Sequence, residues 1–73
     1  MPKLPILSAK ELVKIFEKAK YSVVRQKGSH IRMYHKTKDS ITIPNHKTIG
    51  RGLLKKILRD SQISSDDLTQ LMK

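Results

Sequence analysis

The sequence predicts an α+β fold in which a three-stranded antiparallel sheet carries helices on one face. Apolar residues near the start and the end of the chain recur with the period of an α-helix, whereas in three short central segments they alternate with polar residues as in β-strands. The connections between these central segments are short, which favours antiparallel pairing of neighbours. The predicted element order is therefore α-β-β-β-α, followed by a short third helix.

The first helix is predicted over residues 8–20, SAKELVKIFEKAK. Ser8 is followed three residues later by Glu11, a spacing that is typical of a capping box at a helix start. The apolar stripe of this helix consists of Leu12, Ile15, Phe16 and Ala19. This repeat places the four side chains on one face, which we expect to pack against the sheet.

Three segments are predicted to form the sheet: YSVVRQ at residues 21–26, HIRMYH at 30–35 and ITIP at 41–44. Between the first two, Lys27-Gly28-Ser29 supplies residues that favour a tight turn. Pro44 ends the third strand because proline cannot donate a hydrogen bond to a neighbouring strand. We therefore expect a meander, with each strand beside the next one along the chain.

The alternation within these strands predicts which side chains reach solvent, because successive side chains of a strand point to opposite faces. The apolar surface covered by the helices is expected to consist of Ile31, Met33, Ile41, Ile43 and Val24 (or Val23). The uncovered face is then expected to carry His30, Arg32, Tyr34 and Arg25. An imidazole, two guanidinium groups and a phenol are thus predicted to face water.

A second helix is predicted over residues 49–62 and a short third helix over 64–73. The apolar face of the second helix consists of Leu53, Leu54, Ile57 and Leu58, and its basic face of Arg51, Lys55 and Arg59. The third helix has Ser64 and Asp67 as its predicted cap. Its predicted core contacts are Leu68, Leu71 and Met72.

The charge of the chain is concentrated in its centre. Lys and Arg total 16 against 6 acidic residues, which gives a net charge of +10, and the segment from Lys20 to Arg59 holds 11 basic residues against the single acidic Asp39. Such a concentration predicts a polyanionic partner. A solvated basic surface is the alternative, and membrane binding is disfavoured because no helix combines an aromatic face with a basic one.

The composition also excludes several classes of protein. A chain of 73 residues suffices for one domain, and the absence of cysteine excludes disulfides and thiolate zinc sites. We see neither an apolar run long enough to span a membrane nor a signal peptide, so we expect a cytoplasmic location. No carboxylate cluster accompanies the central basic residues, so neither a metal ion nor another cofactor is expected.

Four segments of the chain match a known family when they are taken together. They are LPILSAKELVKIFEKA at residues 4–19, VVRQKGSHIRMY at 23–34, IPNH at 43–46 and GRGLLKKILRDSQIS at 50–64. With these segments the chain resembles the HicA family of small bacterial mRNA interferase toxins, also known as YcfA-like proteins. The chain departs from the family at Lys20, where glycine is frequent, and at Gly52-Leu53-Leu54, where Gly-Thr-Leu is frequent.

The resemblance implies a single HicA-like toxin domain over residues 1–73 with a fold like that of double-stranded-RNA-binding domains. It implies ribosome-independent cleavage of mRNA, which inhibits translation and growth. It also implies neutralisation by a HicB-type antitoxin protein, with operator DNA contacted only through that antitoxin. In this family the histidine of Gly-Ser-His is catalytic, and the match assigns that role to His30.

The chemistry of RNA cleavage is consistent with this assignment. RNA supplies its own nucleophile, the 2′-OH, so cleavage needs a base, an acid and stabilisation of negative charge, and histidine ordinarily titrates near cellular pH. The expected RNA-binding residues are Lys27, Gly28, Ser29, Arg32, Tyr34, His46, Lys47, Arg51 and Lys55. For His46, catalysis, phosphate contact and helix capping all stay open, whereas His35 is expected to have a packing or edge role.

Two other classes of function are compatible with the sequence. A non-catalytic RNA-binding module would carry the same basic surface, and only the dependence of RNA decay on His30 separates it from a nuclease. A protein-interaction domain would bind an acidic protein and never RNA. Salt-sensitive RNA binding would count against that last class, because binding through several phosphates weakens steeply with salt.

Overall fold

The computed structural model describes residues 4–73, and residues 1–3 of the predicted domain lie outside the described residues. The chain forms α1 (Ala9–Lys18), β1 (Ser22–Lys27), β2 (His30–Tyr34), β3 (Ile41–Pro44), α2 (Arg51–Ser61) and α3 (Ser65–Leu71). The strands form one antiparallel sheet in the order β1-β2-β3, which confirms the predicted α+β class and meander. Within the described residues, no helix combines the length and the apolar character that a membrane crossing requires.

The first helix begins at the capping box that the sequence predicts. The Ser8 hydroxyl accepts a hydrogen bond from the Glu11 N–H at 3.1 Å, and the Glu11 carboxylate accepts one from the Ser8 N–H at 3.0 Å. Hydrogen bonding with Ser8 holds the pKa of Glu11 below its ordinary value. The bond from the Ser8 backbone is the larger cause, and the bond with the Ser8 side chain is the smaller one. Along the predicted stripe, Leu12, Ile15 and Phe16 are buried.

The end of α1 is a left-handed turn at Lys20, whose φ is +74°. The Lys20 N–H donates to the Glu17 carbonyl at 3.1 Å, and the Tyr21 N–H donates to the Phe16 carbonyl at 3.0 Å. These two bonds form the Schellman pattern, in which the left-handed residue is most often glycine. The Tyr21 ring adds the accompanying apolar contact, because it packs edge-on against Phe16 with the ring centroids 5.4 Å apart.

The first strand departs from the predicted burial pattern, because all six residues of β1 are exposed. Val23 is 42% and Val24 is 58% exposed, so the prediction that one of them supplies a core contact is wrong. The reason is the position of the helices: α2 packs against β3, at the opposite edge of the sheet, and only α1 contacts β1, where a groove between them leaves Val23 open to solvent. Tyr21, just before β1, is buried instead, and its hydroxyl donates to the Asp39 carbonyl at 2.9 Å.

The rest of the core follows the predicted pattern. Its sheet residues Ile31, Met33, Ile41 and Ile43 are all buried, and so are Leu54, Ile57 and Leu58 of α2. The predicted cap of α3 is also present, since the Ser64 hydroxyl accepts a hydrogen bond from the Asp67 N–H at 3.0 Å. Leu68 is buried, but Met72 is 42% exposed and its predicted core contact is wrong, because α3 ends before it.

Candidate nucleic-acid interface on the open face of the sheet

The face of the sheet that is turned away from the helices carries polar side chains. In β2, Ile31 and Met33 are buried, whereas His30, Arg32 and Tyr34 are exposed, as the alternation predicts. None of the three strands contains an acidic residue. The charge that the strands contribute to this face is therefore entirely positive.

Strand pairing adds two further cations to this face. Lys27 lies opposite His30, and Arg25 lies opposite Arg32. Directly opposite residues of an antiparallel pair project from the same face, with Cβ atoms roughly 4.5–5.5 Å apart. Ser22, opposite Tyr34, and the β3 residues opposite His30 and Arg32 lie on the same face. The open face of the sheet therefore consists of Ser22, Arg25, Lys27, His30, Arg32, Tyr34, Thr42 and Pro44.

A β-bulge in β1 produces this arrangement. The register shifts between Val23 and Arg25, so that Val24 has no partner residue in β2. In an unbroken strand, Val23 and Arg25 would point to the same face. The extra residue instead turns Val23 toward the helices and both Arg25 and Lys27 onto the open face. The predicted outward position of Arg25 is confirmed, but the bulge that creates it has no signal in the sequence.

The turn before His30 is a two-residue hairpin loop. Gly28 has a φ of +56°, whereas the φ of Ser29 is not positive, which is the pattern of a type II′ turn with glycine first. Lys27, predicted within the turn, is instead the last residue of β1. The Ser29 carbonyl accepts a hydrogen bond from the Asn45 N–H at 2.6 Å, which ties the turn to the end of β3. Gly28 and Ser29 are exposed, so this anchored backbone is open to a ligand.

His46 lies at the same corner of the sheet as His30. His30 pairs with Pro44, and two residues later the His46 N–H donates back to the Pro44 carbonyl at 2.8 Å. The His46 carbonyl accepts a hydrogen bond from the Ala9 N–H at 3.1 Å, which joins this corner to the start of α1. His46 and the neighbouring Lys47 are exposed. One corner of the molecule therefore presents two solvent-accessible histidines.

Arg32 links the open face to a groove at the free edge of β3. Its Nη1 donates to the Thr42 Oγ1 at 2.8 Å, which fixes the direction of the guanidinium. The groove has a volume of about 440 Å³, and its other wall includes Lys56 and Asp60 of α2. These two side chains form the one ion pair within residues 4–73, at 3.5 Å. Sequence reasoning did not include Lys56, because it belongs to neither the apolar nor the basic face of the helix.

Two of the predicted RNA-binding residues, Arg51 and Lys55, lie away from the open face. Successive residues of a helix are rotated by about 100°. Arg51, Lys55 and Arg59 therefore share one flank of α2, and Lys56 lies on the flank that lines the groove. The Arg51 Nε also donates to the Leu4 carbonyl at 2.7 Å and so holds the segment before α1. The structure does not bring this stripe together with His30.

Tyr34 and His35 follow one another at the end of β2 but have different surroundings. Tyr34 is 50% exposed, and its ring is accessible to a stacking partner. His35 is half-buried against the Tyr21 ring, with centroids 4.9 Å apart, and its Nδ1 accepts a hydrogen bond from the Lys38 N–H at 3.2 Å. His35 therefore shapes the loop after β2, which agrees with its predicted packing role.

The arrangement is chemically suited to act on a phosphate group. His30 can exchange protons with solvent and with a ligand, and the cations beside it attract and stabilise negative charge. Within residues 4–73, no three His, Asp or Glu side chains lie close enough together to share a metal ion. The residues of the open face thus offer proton transfer and charge stabilisation.

The comparison with protein families agrees with the resemblance seen in the sequence. The sequence model described as "HicA toxin of bacterial toxin-antitoxin" matches residues 9–63. This match spans well over half of the chain and includes α1, the three strands and α2. No curated protein and no solved structure matches the chain at a significant level.

Proposed function

This chain belongs to the HicA toxin family of bacterial toxin–antitoxin systems, and we propose that it is an mRNA interferase whose catalytic residue is His30. The observation that carries the proposal is the position of His30, which is exposed on a sheet face without acidic residues and directly opposite Lys27. An RNA backbone is drawn to such a face by its phosphates. The activity proposed is metal-independent endonucleolytic cleavage that inhibits translation.

The reaction uses the ribose of the RNA itself. A base removes the 2′-OH proton, the 2′ oxygen attacks the adjacent phosphorus, and the bond from phosphorus to the 5′ oxygen breaks as an acid protonates that oxygen. His30 supplies one of these proton transfers, which are typically worth ~10²–10⁴-fold in rate. Lys27, opposite His30, stabilises the negative charge that develops on the phosphorane oxygens, and Arg32, one row away on the same face, binds the RNA backbone beside it.

The second proton transfer is assigned to His46. It shares a corner of the sheet with His30, and its side chain is exposed while its backbone is held by the bonds to Pro44 and Ala9. The alternative role for His46 is phosphate contact. The two roles differ in the effect of the His46→Ala substitution, because loss of an acid or base lowers kcat whereas loss of a binding contact alone raises KM.

The remaining contacts to RNA come from the rim of the open face. The exposed backbone at Gly28 and Ser29 approaches a phosphate, Lys47 adds charge at the same corner, and Tyr34 stacks a base. Arg51 and Lys55 lie on the far flank of α2, and we assign them to a more distant part of a long RNA. Their loss is therefore expected to weaken binding without changing the rate of cleavage of a short RNA.

A HicB-type antitoxin is the proposed protein partner. The family implies an antitoxin, and a face with this charge is complementary to an acidic protein surface. An antitoxin that covered His30 would exclude RNA and prevent cleavage. Operator DNA is expected to be bound by the antitoxin part of such a complex.

The test is cleavage of a short RNA by the purified protein in excess chelator, with analysis of the product ends. Attack by the 2′ oxygen predicts fragments with a 2′,3′-cyclic phosphate and a 5′-hydroxyl. It also predicts that a 2′-deoxy nucleotide at the cut site blocks cleavage. A requirement for added divalent metal would contradict the mechanism. RNA binding without cleavage would favour the second candidate, a non-catalytic RNA-binding module, which the same basic face supports.

A further inference from the structure

The open face holds two guanidinium groups directly opposite one another. Arg25 of β1 and Arg32 of β2 are cross-strand partners, and like charges in this relation destabilise a sheet. No strand residue is acidic, and the one ion pair within residues 4–73 joins Lys56 and Asp60 of α2. Neither arginine forms an ion pair within residues 4–73, although Arg32 shares the groove at the β3 edge with Asp39 and Asp60.

The bulge at Val24 is what creates this pairing. A bulge leaves one residue unpaired and re-aims the side chains that follow it, and bulges are frequent beside functional sites. Here it turns Arg25 toward Arg32 and leaves Val24 itself 58% exposed. The bulge therefore leaves Val24 unpaired and exposed, and it places a second guanidinium group, that of Arg25, on the open face.

The two arginines are suited to hold one phosphate between them. A guanidinium has five N–H donors in a planar fork that matches phosphate oxygens. Arg32 uses one nitrogen on Thr42 Oγ1, which leaves its remaining N–H groups free to point at a ligand. The Arg25–Arg32 row is one i to i+2 step along β2 from the Lys27–His30 row, or roughly 6.7 Å. That step is of the same order as the separation of successive phosphates along a nucleic-acid strand.

We propose that Arg25 and Arg32 together bind the RNA phosphate next to the one that is cleaved beside His30. Arg25 is then a substrate-binding residue that sets the register of the RNA on the open face. This inference rests on the proposed function, because it assumes that RNA is the ligand of this face. It predicts that a substrate reduced to a dinucleotide, with a single phosphate, loses the contribution of Arg25.

The first test measures binding of a short single-stranded RNA whose nucleotides carry 2′-O-methyl groups, so that cleavage cannot occur. Each phosphate contact contributes about 0.7 to the slope of log affinity against log salt concentration for a single strand. Arg25→Gln is expected to reduce the slope by about that amount. Lys10→Gln is the matched control, since it removes the same charge from an exposed site on α1 and is expected to leave the slope near the parent value. Arg25→Lys is expected to keep the slope and lose part of the affinity.

The second test separates binding from a structural role by measuring thermal stability. Because Arg25 faces Arg32, Arg25→Gln is expected to raise Tm at low salt, and the gain should disappear at high salt. Inorganic pyrophosphate is expected to raise Tm more in the parent protein than in Arg25→Gln. A residue retained for structural reasons would show the opposite, a lower Tm in the variant at every salt concentration.

The outcomes distinguish this inference from the proposed nuclease activity. If the parent protein cleaves RNA and Arg25→Gln keeps the parental salt slope, the phosphate site is wrong and the nuclease stands. If the parent binds RNA with an Arg25-dependent slope but never cleaves it, the phosphate site stands and the nuclease is wrong. A parent protein that binds no RNA overturns both.

Discussion

Lys20 holds a left-handed backbone conformation, and replacing it with glycine is expected to stabilise the fold. A residue with a Cβ atom loses roughly 1–2 kcal/mol in this conformation, which Lys20 adopts with a φ of +74°. Glycine avoids that loss but gives up roughly 0.5–1 kcal/mol through the greater entropy of the unfolded chain. The expected gain in the free energy of unfolding is therefore about 0.5–1 kcal/mol. For a domain of this size it corresponds to a rise in Tm of about 2–8 °C.

The assay is urea unfolding followed by far-ultraviolet circular dichroism. Lys20→Ala is the control, because it removes the same charge but keeps the Cβ atom, and it is expected to lie within about 0.5 kcal/mol of the parent. Gln62, with a φ of +61°, ends α2 in the same conformation, so Gln62→Gly should change stability in the same direction. A Lys20→Gly protein that is no more stable than Lys20→Ala would show that the left-handed turn at residue 20 carries no such strain.

Two further predictions concern the bulge and the first helix cap. Val24→Ser is expected to change the free energy of unfolding by less than about 0.5 kcal/mol. Met33→Ala, at a fully buried position of the next strand, should lower the free energy of unfolding by about 2–5 kcal/mol. A comparable loss at both positions in urea unfolding would contradict the exposed bulge. Because the fold lowers the pKa of Glu11, the ionised Glu11 carboxylate contributes to stability above the ordinary glutamate pKa. This contribution to stability is lost as pH falls through the lower pKa of the folded state. Glu11→Gln should therefore flatten the pH dependence of stability in that acidic range, and an unchanged pH dependence would count against the capping box.

The helices and the burial patterns of β2 and β3 were predictable because local rules and tertiary packing agree there. Ser8 and Glu11 cap α1 with groups close in sequence, and Ile31 and Met33 alternate on a strand that lies in the middle of the sheet. In β1 the local alternation and the tertiary packing disagree. Alternation assumes that a strand is covered on one side, and nothing local to Val23 and Val24 indicates that α2 packs over the other edge and that α1 covers β1 only in part.

The candidate site was predictable in part for the same reason. The exposure of His30 and Arg32 follows from burial of their neighbours in the same strand. The stripe of Arg51 and Lys55 was a different kind of inference, because the helical period tells which residues share a flank but not which flank faces the sheet. Lys56 could be identified as a groove residue only by knowing which flank of α2 faces the sheet.

The role of His30 in proton transfer is tested most directly by the single-turnover rate of RNA cleavage in excess chelator. His30→Ala is compared with the parent protein and with Gln26→Ala, a truncation of an exposed neighbouring strand residue. The prediction is a rate ~10²–10⁴-fold lower for His30→Ala, with its fold and its affinity for uncleavable RNA retained, and a rate near that of the parent for Gln26→Ala. A folded His30→Ala protein that cleaves RNA as fast as the parent would contradict the account.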